Sequence, residues 1–382
     1  MDIHPPLIEL LGGHWRFEQP VTAAAWSGDG SVAAFGLGDG TVALARARWP
    51  GGPEVRARAS GGLEVHPPPT PNPPVSRLAA HSGACRALVA EPGAGFLSGG
   101  EDGRVLRIGR DGTVEPDAEL AVSRVDLLAA GAAGWRACAA GREVILAGRS
   151  RTILTLPGEA TALGFDAAGR RLAVAYVDGA SIWSDDGAPL RRRHCRGGPQ
   201  ALAWSPDDAW LALGLTLGPD AGGVRAWRLA DGVELIPGGE SRKVGSLGFS
   251  FDGLLLAASG APRVLYWRLD ARERAAPRQC GLPSSRAPVR AVAFHPSRPL
   301  IAAGYASGAV LLCRPGSDDV LFIKGAGGGP TLTLAWSLDG EHLALATEGG
   351  EAGLVFLPDS LFRDALGSVR AGERYPVSEP RA

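Results

Sequence analysis

One recurring pattern constrains the fold of this chain more than any other feature. It is a short alternating run ending in an aromatic, a tight polar turn, an apolar run of small and branched residues, a Gly-rich turn, and a second apolar run. It reads VTAAAWSGDGSVAAFGLGDGTVALAR from Val21, PQALAWSPDDAWLALGL from Pro199, VGSLGFSFDGLLLAASG from Val244 and VRAVAFHPSRPLIAAGYASGAVLLCR from Val289. Short apolar runs separated by turn residues read as antiparallel strands joined by hairpins, so each unit supplies three clear strands. The 55 glycines and 30 prolines among 382 residues agree, because both residues break helices and both punctuate turns.

The residue that ends the first strand of each unit marks the period. These residues are Trp26, Ala90, Ala130, Phe165, Trp204, Phe249, Phe294 and Trp336, separated by 64, 40, 35, 39, 45, 45 and 42 residues. All but the first gap lie near the spacing of about 40 to 45 residues expected of a four-stranded propeller blade. The count is eight, with seven as the alternative, because the unit VDLLAAGAAGWRACAAGREVILAG from Val125 has lost most of the pattern. Outer strands are expected at Glu54 to Val65, Thr113 to Val122, Arg151 to Leu156, Val233 to Ile236 and Val320 to Lys324. The eighth unit has no such strand before the tail. LIELLGGHWRFE, Leu7 to Glu18 within residues 1–19, is expected to supply it and to close the ring, hiding two strand edges.

At this point the chain resembles the WD40 repeat family, over roughly residues 20 to 358. The matches are WSPDD from Trp204, WSGDG from Trp26, WSLDG from Trp336, the third-strand residues Trp183, Trp227 and Trp267, and the Asp-Gly turns at Asp39, Asp102 and Asp178. The resemblance implies an all-β chain forming a single closed propeller over residues 1–358. Gly-His pairs are nearly absent from the unit starts, the third-strand Trp position carries Ala45, Ile108, Ala147, Cys313 or Phe356, and no Asp follows the three tryptophans. The family's His-Asp hydrogen-bond network is therefore expected to be missing, leaving packing to brace the blades.

Two segments depart from the repeat. Residues 49–83 hold an insertion whose core, HPPPTPNPPV from His66 to Val75, contains six prolines. It should be an extended, polyproline-II-like exposed loop, with a docking peptide as the bolder reading. In the tail, residues 359–382, Leu361, Phe362, Ala365, Leu366 and Val369 fall at helical spacing before a polar end with prolines. A short helix followed by disorder is expected.

Composition narrows the function. Lys and Arg total 39 against 40 Asp and Glu, a net charge of -1, which offers no field to hold a nucleic acid. No stretch reaches the roughly 18 apolar residues of a membrane span, and the N-terminus lacks the marks of a secretory signal. Five scattered cysteines without a CxxC fit reduced thiols, so a cytoplasmic location is expected. The Ala-, Gly- and Arg-rich composition hints at a GC-rich bacterial genome. No nucleophile elbow, zinc helix, phosphate loop or calcium loop is present, so neither catalysis nor a metal or other cofactor is expected. Gly36, Gly38 and Gly40 read as turn glycines. The run RRRHCR, Arg191 to Arg196, reads as a solvated edge or outer strand in preference to an anion site.

In the resemblance, the loops into first strands and between second and third strands form the common binding face. Counting four residues back from each marker gives Thr22, Arg86, Asp126, Thr161, Gln200, Gly245, Arg290 and Leu332, expected around the channel mouth. Arg86, Asp126, Gln200 and Arg290 are its strongest polar groups and the candidate partner-binding residues. The Pro-rich insertion and the turn TLGPDAGG, Thr216 to Gly223, are expected to project from the same face. The reading is a non-catalytic protein-interaction scaffold, a monomer by itself, that binds one or more proteins. A small-molecule or anion sensor at the mouth, or a metal-dependent propeller protein, is the alternative.

Overall fold

The computed structural model describes residues 5–57, 62–69, 73–93, 95–120, 122–236, 242–269 and 276–365. Eight four-stranded antiparallel sheets carry the fold, with one further two-stranded sheet. The first blade pairs Val21–Trp26, Val32–Leu37, Thr41–Arg46 and Val75–Ala79. First strands of neighbouring blades contact one another all the way round, including Val21–Trp26 against Thr331–Trp336, so the ring is closed. The weak third unit is a complete blade, built from Leu127–Ala130, Arg136–Ala140, Glu143–Ala147 and Arg151–Thr155.

The turn residues show why the pattern was legible. In the turn after Trp26, Ser27 Oγ donates to Asp29 Oδ1 at 2.7 Å, that oxygen accepts Ser31 N at 3.1 Å, and Ser27 Oγ accepts Val32 N at 3.1 Å. Gly30 follows with φ 70°, a conformation that favours glycine. The same Ser-to-Asp bond recurs from Ser205, Ser250 and Ser337 to Asp207, Asp252 and Asp339. The marker tryptophans then stitch blade to blade. Trp26 Nε1 donates to Ala335 O at 2.9 Å, Trp204 Nε1 to Gly164 O at 2.9 Å, and Trp336 Nε1 to Ala293 O at 3.2 Å.

Closure comes from the N-terminal segment, over a shorter strand than expected. Leu7–Leu11 is a helical turn, and only Gly12–Arg16 is strand, pairing antiparallel with Glu351–Phe356. Leu7–Leu11 places Ile8 and Leu11 in a buried cluster between the seventh and eighth blades, which Leu361 and Phe362 of the C-terminal helix Asp359–Ala365 also join. The expected disorder after that helix lies outside the described residues.

The insertion differs from its reading in two respects. Glu54–Ala57 and Leu63–His66 pair with each other and add nothing to the blade. The outer strand of blade one is Val75–Ala79, the first stretch past the prolines whose backbone can donate to a ladder. The insertion also leaves from the end of a third strand, on the face where first strands end and opposite the expected one. There Arg48 reaches Glu341 at 2.6 Å, beside the second-strand start of blade eight. Trp15 Nε1 donates to Pro73 O at 2.9 Å, which ties down the end of the proline segment. Residues 70–72 lie outside the described residues. Of the other outer strands, Val320–Lys324 and Arg151–Thr155 fall as read, whereas Val114–Pro116 and Glu234–Leu235 are shorter.

Trp15, 9% exposed, packs with Phe35 and Trp26 between the eighth and first blades. Trp15→Ala should therefore cost about 3 kcal/mol or more in chemical unfolding. Removing residues 1–16 should further produce concentration-dependent association in size-exclusion chromatography, since it bares the Glu351–Phe356 edge.

His295 and His342 are 1% and 3% exposed, and burial pushes both imidazoles from the usual 6.5 down to about 4, aided by Arg298 and Arg48 respectively. Asp339 opposes the shift at both sites, as does Asp359 at His295. The unfolded chain therefore binds these protons first. Stability is full above 6.5 and falls as pH drops to 4, by up to roughly 3 kcal/mol per histidine. Urea midpoints between pH 7 and 4 should fall, and less steeply in a His295→Leu, His342→Leu variant.

Candidate partner-binding face

The mouth of the channel is shaped by a backbone irregularity that repeats. The pairing of first with second strand shifts by one residue between Val21 and Ala23, Cys85 and Ala87, Ala160 and Ala162, Pro199 and Ala201, Val289 and Ala291, and Thr331 and Thr333. The residues left out of the ladder are Thr22, Arg86, Thr161, Gln200, Arg290 and Leu332, six of the eight positions counted from the sequence. A bulge frees one side chain from the pleat and re-aims it, and bulges gather at barrel rims and sites. Asp126 and Gly245 lie just before their first strands, Leu127–Ala130 and Leu247–Phe249.

The candidate residues do not form one cluster. Arg86, whose side chain is 38% exposed, pairs with Glu101 Oε1 at 3.2 Å and reaches Asp126 Oδ1 at 3.8 Å. Arg124 Nε holds the same Asp126 oxygen at 2.7 Å, and Asp126 Oδ2 accepts Gly141 N at 3.0 Å. Arg86 and Asp126 thus belong to a mixed-charge group spanning blades two and three. Arg290 pairs instead with Glu348 at 3.4 Å, both about half exposed, across blades seven and eight. Gln200 is exposed, and its amide donates to the carbonyl of its own neighbour Pro199 at 3.1 Å. Pairs this exposed contribute little to stability, which leaves their charge available to a partner.

Beside this ring lie residues that the sequence reading did not single out. Val177 and Leu217, 54% and 53% exposed, sit in the turns between second and third strands of blades four and five. The available signal was an apolar residue placed at a turn, before Asp178-Gly179 and before Gly218-Pro219.

The second blade overturns the expectation that the His-Asp network is missing. His81 Nδ1 lies 3.0 Å from Asp102 Oδ1, His81 Nε2 lies 2.8 Å from Ser98 Oγ, and Asp102 Oδ2 accepts Ser82 N at 3.1 Å. Burial lowers the His81 pKa against the opposing pull of Asp102. The network survives because all three residues are present, although His81 follows Ala80 and Ile108 stands at the tryptophan position.

The basic run falls on Pro189–His194, the outer strand of blade four. Arg192 Nε donates to the Tyr176 hydroxyl at 3.0 Å and Arg191 to Leu229 O at 2.8 Å, so these side chains line a blade edge, where charge discourages further strand pairing. Among the described residues, no group of three His, Cys, Asp or Glu is placed to hold a metal ion. No helix among them is long and apolar enough to cross a membrane. All five cysteines are buried and free.

No protein-family model matches the sequence, and no curated protein matches it. Solved structures match in fold. Sqt1 from Chaetomium thermophilum is 17% identical with a TM-score of 0.66, covering 89% of this chain and 97% of that one. A crystal structure of the same protein bound to the N-terminus of the ribosomal protein L10 is 18% identical, with a TM-score of 0.66, over 90% and 98% of the two chains. The Dos1 propeller is 12% identical, with a TM-score of 0.67, over 92% and 96%. These neighbours are WD40 propellers. The chain is an eight-bladed β-propeller.

Proposed function

We propose that this propeller is a non-catalytic scaffold that seats a segment of another protein across its mouth face. The observation carrying the reading is the set of six bulges, which lift Thr22, Arg86, Thr161, Gln200, Arg290 and Leu332 out of their ladders toward one rim. Arg86, Asp126, Gln200 and Arg290 supply polar contacts, and Val177 and Leu217 supply apolar ones. Arginine is among the residues enriched at interface centres. The fold neighbour bound to the N-terminus of the ribosomal protein L10 supports a peptide segment as the kind of occupant. A monomer working in a reducing compartment such as the cytoplasm suits five buried free thiols.

The test is capture from a native cell extract, comparing the wild type with an Arg86→Glu, Arg290→Glu double variant. Both side chains are exposed, so the fold should persist, with an unchanged thermal transition. The expected result is one partner retained by the wild type and weakened about tenfold or more in the variant. Equal retention by both proteins would place binding elsewhere.

A further inference from the structure

A net charge of -1 hides an uneven mouth face. The loops and strand starts that open blades five, six and seven carry Arg196, Arg242, Lys243, Arg286 and Arg290, all exposed. Arg196, Lys243 and Arg286 make no ion pair among the described residues. Arg242 has Asp220 at 3.9 Å and Arg290 has Glu348 at 3.4 Å. Glu240 belongs to the same stretch of sequence and lies outside the described residues. Blades one, four and eight present Glu18, Asp39, Glu159, Asp178 and Glu348 at the rim instead. The basic run from Arg191 ends on the positive part, because Pro189–His194 climbs the edge of blade four and Arg196 passes onto the mouth.

The loops bearing these cations are tied to one another through their backbones. Cys195 N donates to Asp178 O at 3.0 Å and Asp178 N to Gly197 O at 3.3 Å, which fixes the loop of Arg196 against the turn of blade four. Arg242 N donates to Gly260 O at 3.3 Å and Val244 N to Leu215 O at 3.4 Å, so the loop of Lys243 bridges the turn of blade six and the second strand of blade five. Gly260 N donates to Val289 O at 2.9 Å and Ala306 N to Pro288 O at 2.9 Å, joining the loop of Arg286 and Arg290 to the turns of blades six and seven. The cations therefore share one continuous rim whose backbone is already placed, which lowers the ordering cost of binding.

The positive stretch also has ends. Asp178 stands before Arg196 in blade four, and Glu348 stands past Arg290 in blade eight. A long, uniformly negative polymer laid along the rim would run onto these carboxylates, whereas a short acidic stretch with neutral flanks would meet cations over its charged part alone. The pairs Arg242–Asp220 and Arg290–Glu348 are exposed and weak, so a stronger acidic partner can replace them. Complementary charge of this kind sets partner choice and encounter rate. We infer that the rim of blades five to seven receives a short acidic stretch of a protein segment, an assignment that rests on the scaffold reading and narrows it.

Fluorescence anisotropy on the full-length protein, with three rhodamine-labelled probes in about 0.1 M salt, tests the assignment. The probes are a ten-residue peptide of alternating Glu and Ser, its Lys-Ser counterpart, and a twenty-nucleotide oligothymidylate. The Glu-Ser peptide should bind at least about tenfold more tightly than the Lys-Ser peptide, and no more weakly than the longer and more charged oligothymidylate. Arg242→Glu, Lys243→Glu should weaken it by about tenfold or more, whereas Arg46→Glu, Arg104→Glu, an equal change of net charge on the opposite face and on blade two, should alter it by less than about twofold. All four side chains are exposed, so both variants should unfold at the wild-type temperature. No binding of the Glu-Ser peptide, tighter binding of either other probe, or equal loss in the two variants overturns the proposal. A partner from cell extract that is lost with Arg86→Glu, Arg290→Glu but kept with Arg242→Glu, Lys243→Glu would overturn it too, while leaving the scaffold reading standing.

Discussion

Everything in this molecule depends on the last blade being finished by the first strand. Eight sheets can share their faces in a ring only if no sheet is left without a neighbour, and that condition is met when Gly12–Arg16 pairs with Glu351–Phe356. The same seam is held by the Trp26 bond to Ala335 O and by a buried cluster joining Trp15, Phe17 and Trp26 to Ala344, Ala346 and Leu354. A hydrogen-bonded edge and an apolar interface therefore coincide.

Between blades the limit is distance. Second strands such as Val32–Leu37 and His342–Thr347 are buried at every position, and they read as runs of alanine and small branched residues because both faces are covered. Where the next blade begins, the approach tightens further. A Cβ at Gly36 would collide with the Cys85 side chain, one at Gly99 with Val125, one at Gly214 with Val244 and one at Gly304 with Thr331. These glycines are contact points between blades, which is why the pattern places one near the end of the second strand.

What the sequence disclosed follows from this. The blade count, the Ser-x-Asp turns and the mouth positions were legible because each is a local rule repeated, and Ala130 kept the spacing even where the third unit lost its signature; that six of those positions are bulges was not. Arg86 and Asp126 were both named as mouth residues, but their shared ion-pair group depends on Glu101 and Arg124 arriving from other loops. The His81 network was missed because its members are read by position in space, Ser98 being 17 residues from His81. The insertion was placed on the wrong face because its outer strand was sought before the prolines, and counting Glu54 to Val65 as that strand moved everything after it to the mouth. Val177 and Leu217 were passed over because a single exposed apolar residue is unremarked in any sequence. It gains meaning only when neighbouring blades set two on the same rim.

Correcting the insertion's position changes how the two faces divide the work. Six bulges leave the mouth side with side chains displaced from their ladders. The opposite side gathers the segments outside the repeat, with Leu7–Leu11 and Asp359–Ala365 burying Ile8, Leu11, Leu361 and Phe362 in one cluster, and Val55, Leu63 and Val65 of the insertion packed against it. That cluster covers the seam between blades seven and eight, next to the closing strand. The helical turn Leu7–Leu11 also contacts Gly12–Arg16 and its partner Glu351–Phe356, so the added segments lie behind the pairing that finishes the last blade. The regular part of the sequence builds a rigid ring with a displayed rim, and the irregular part guards the place where that ring is joined.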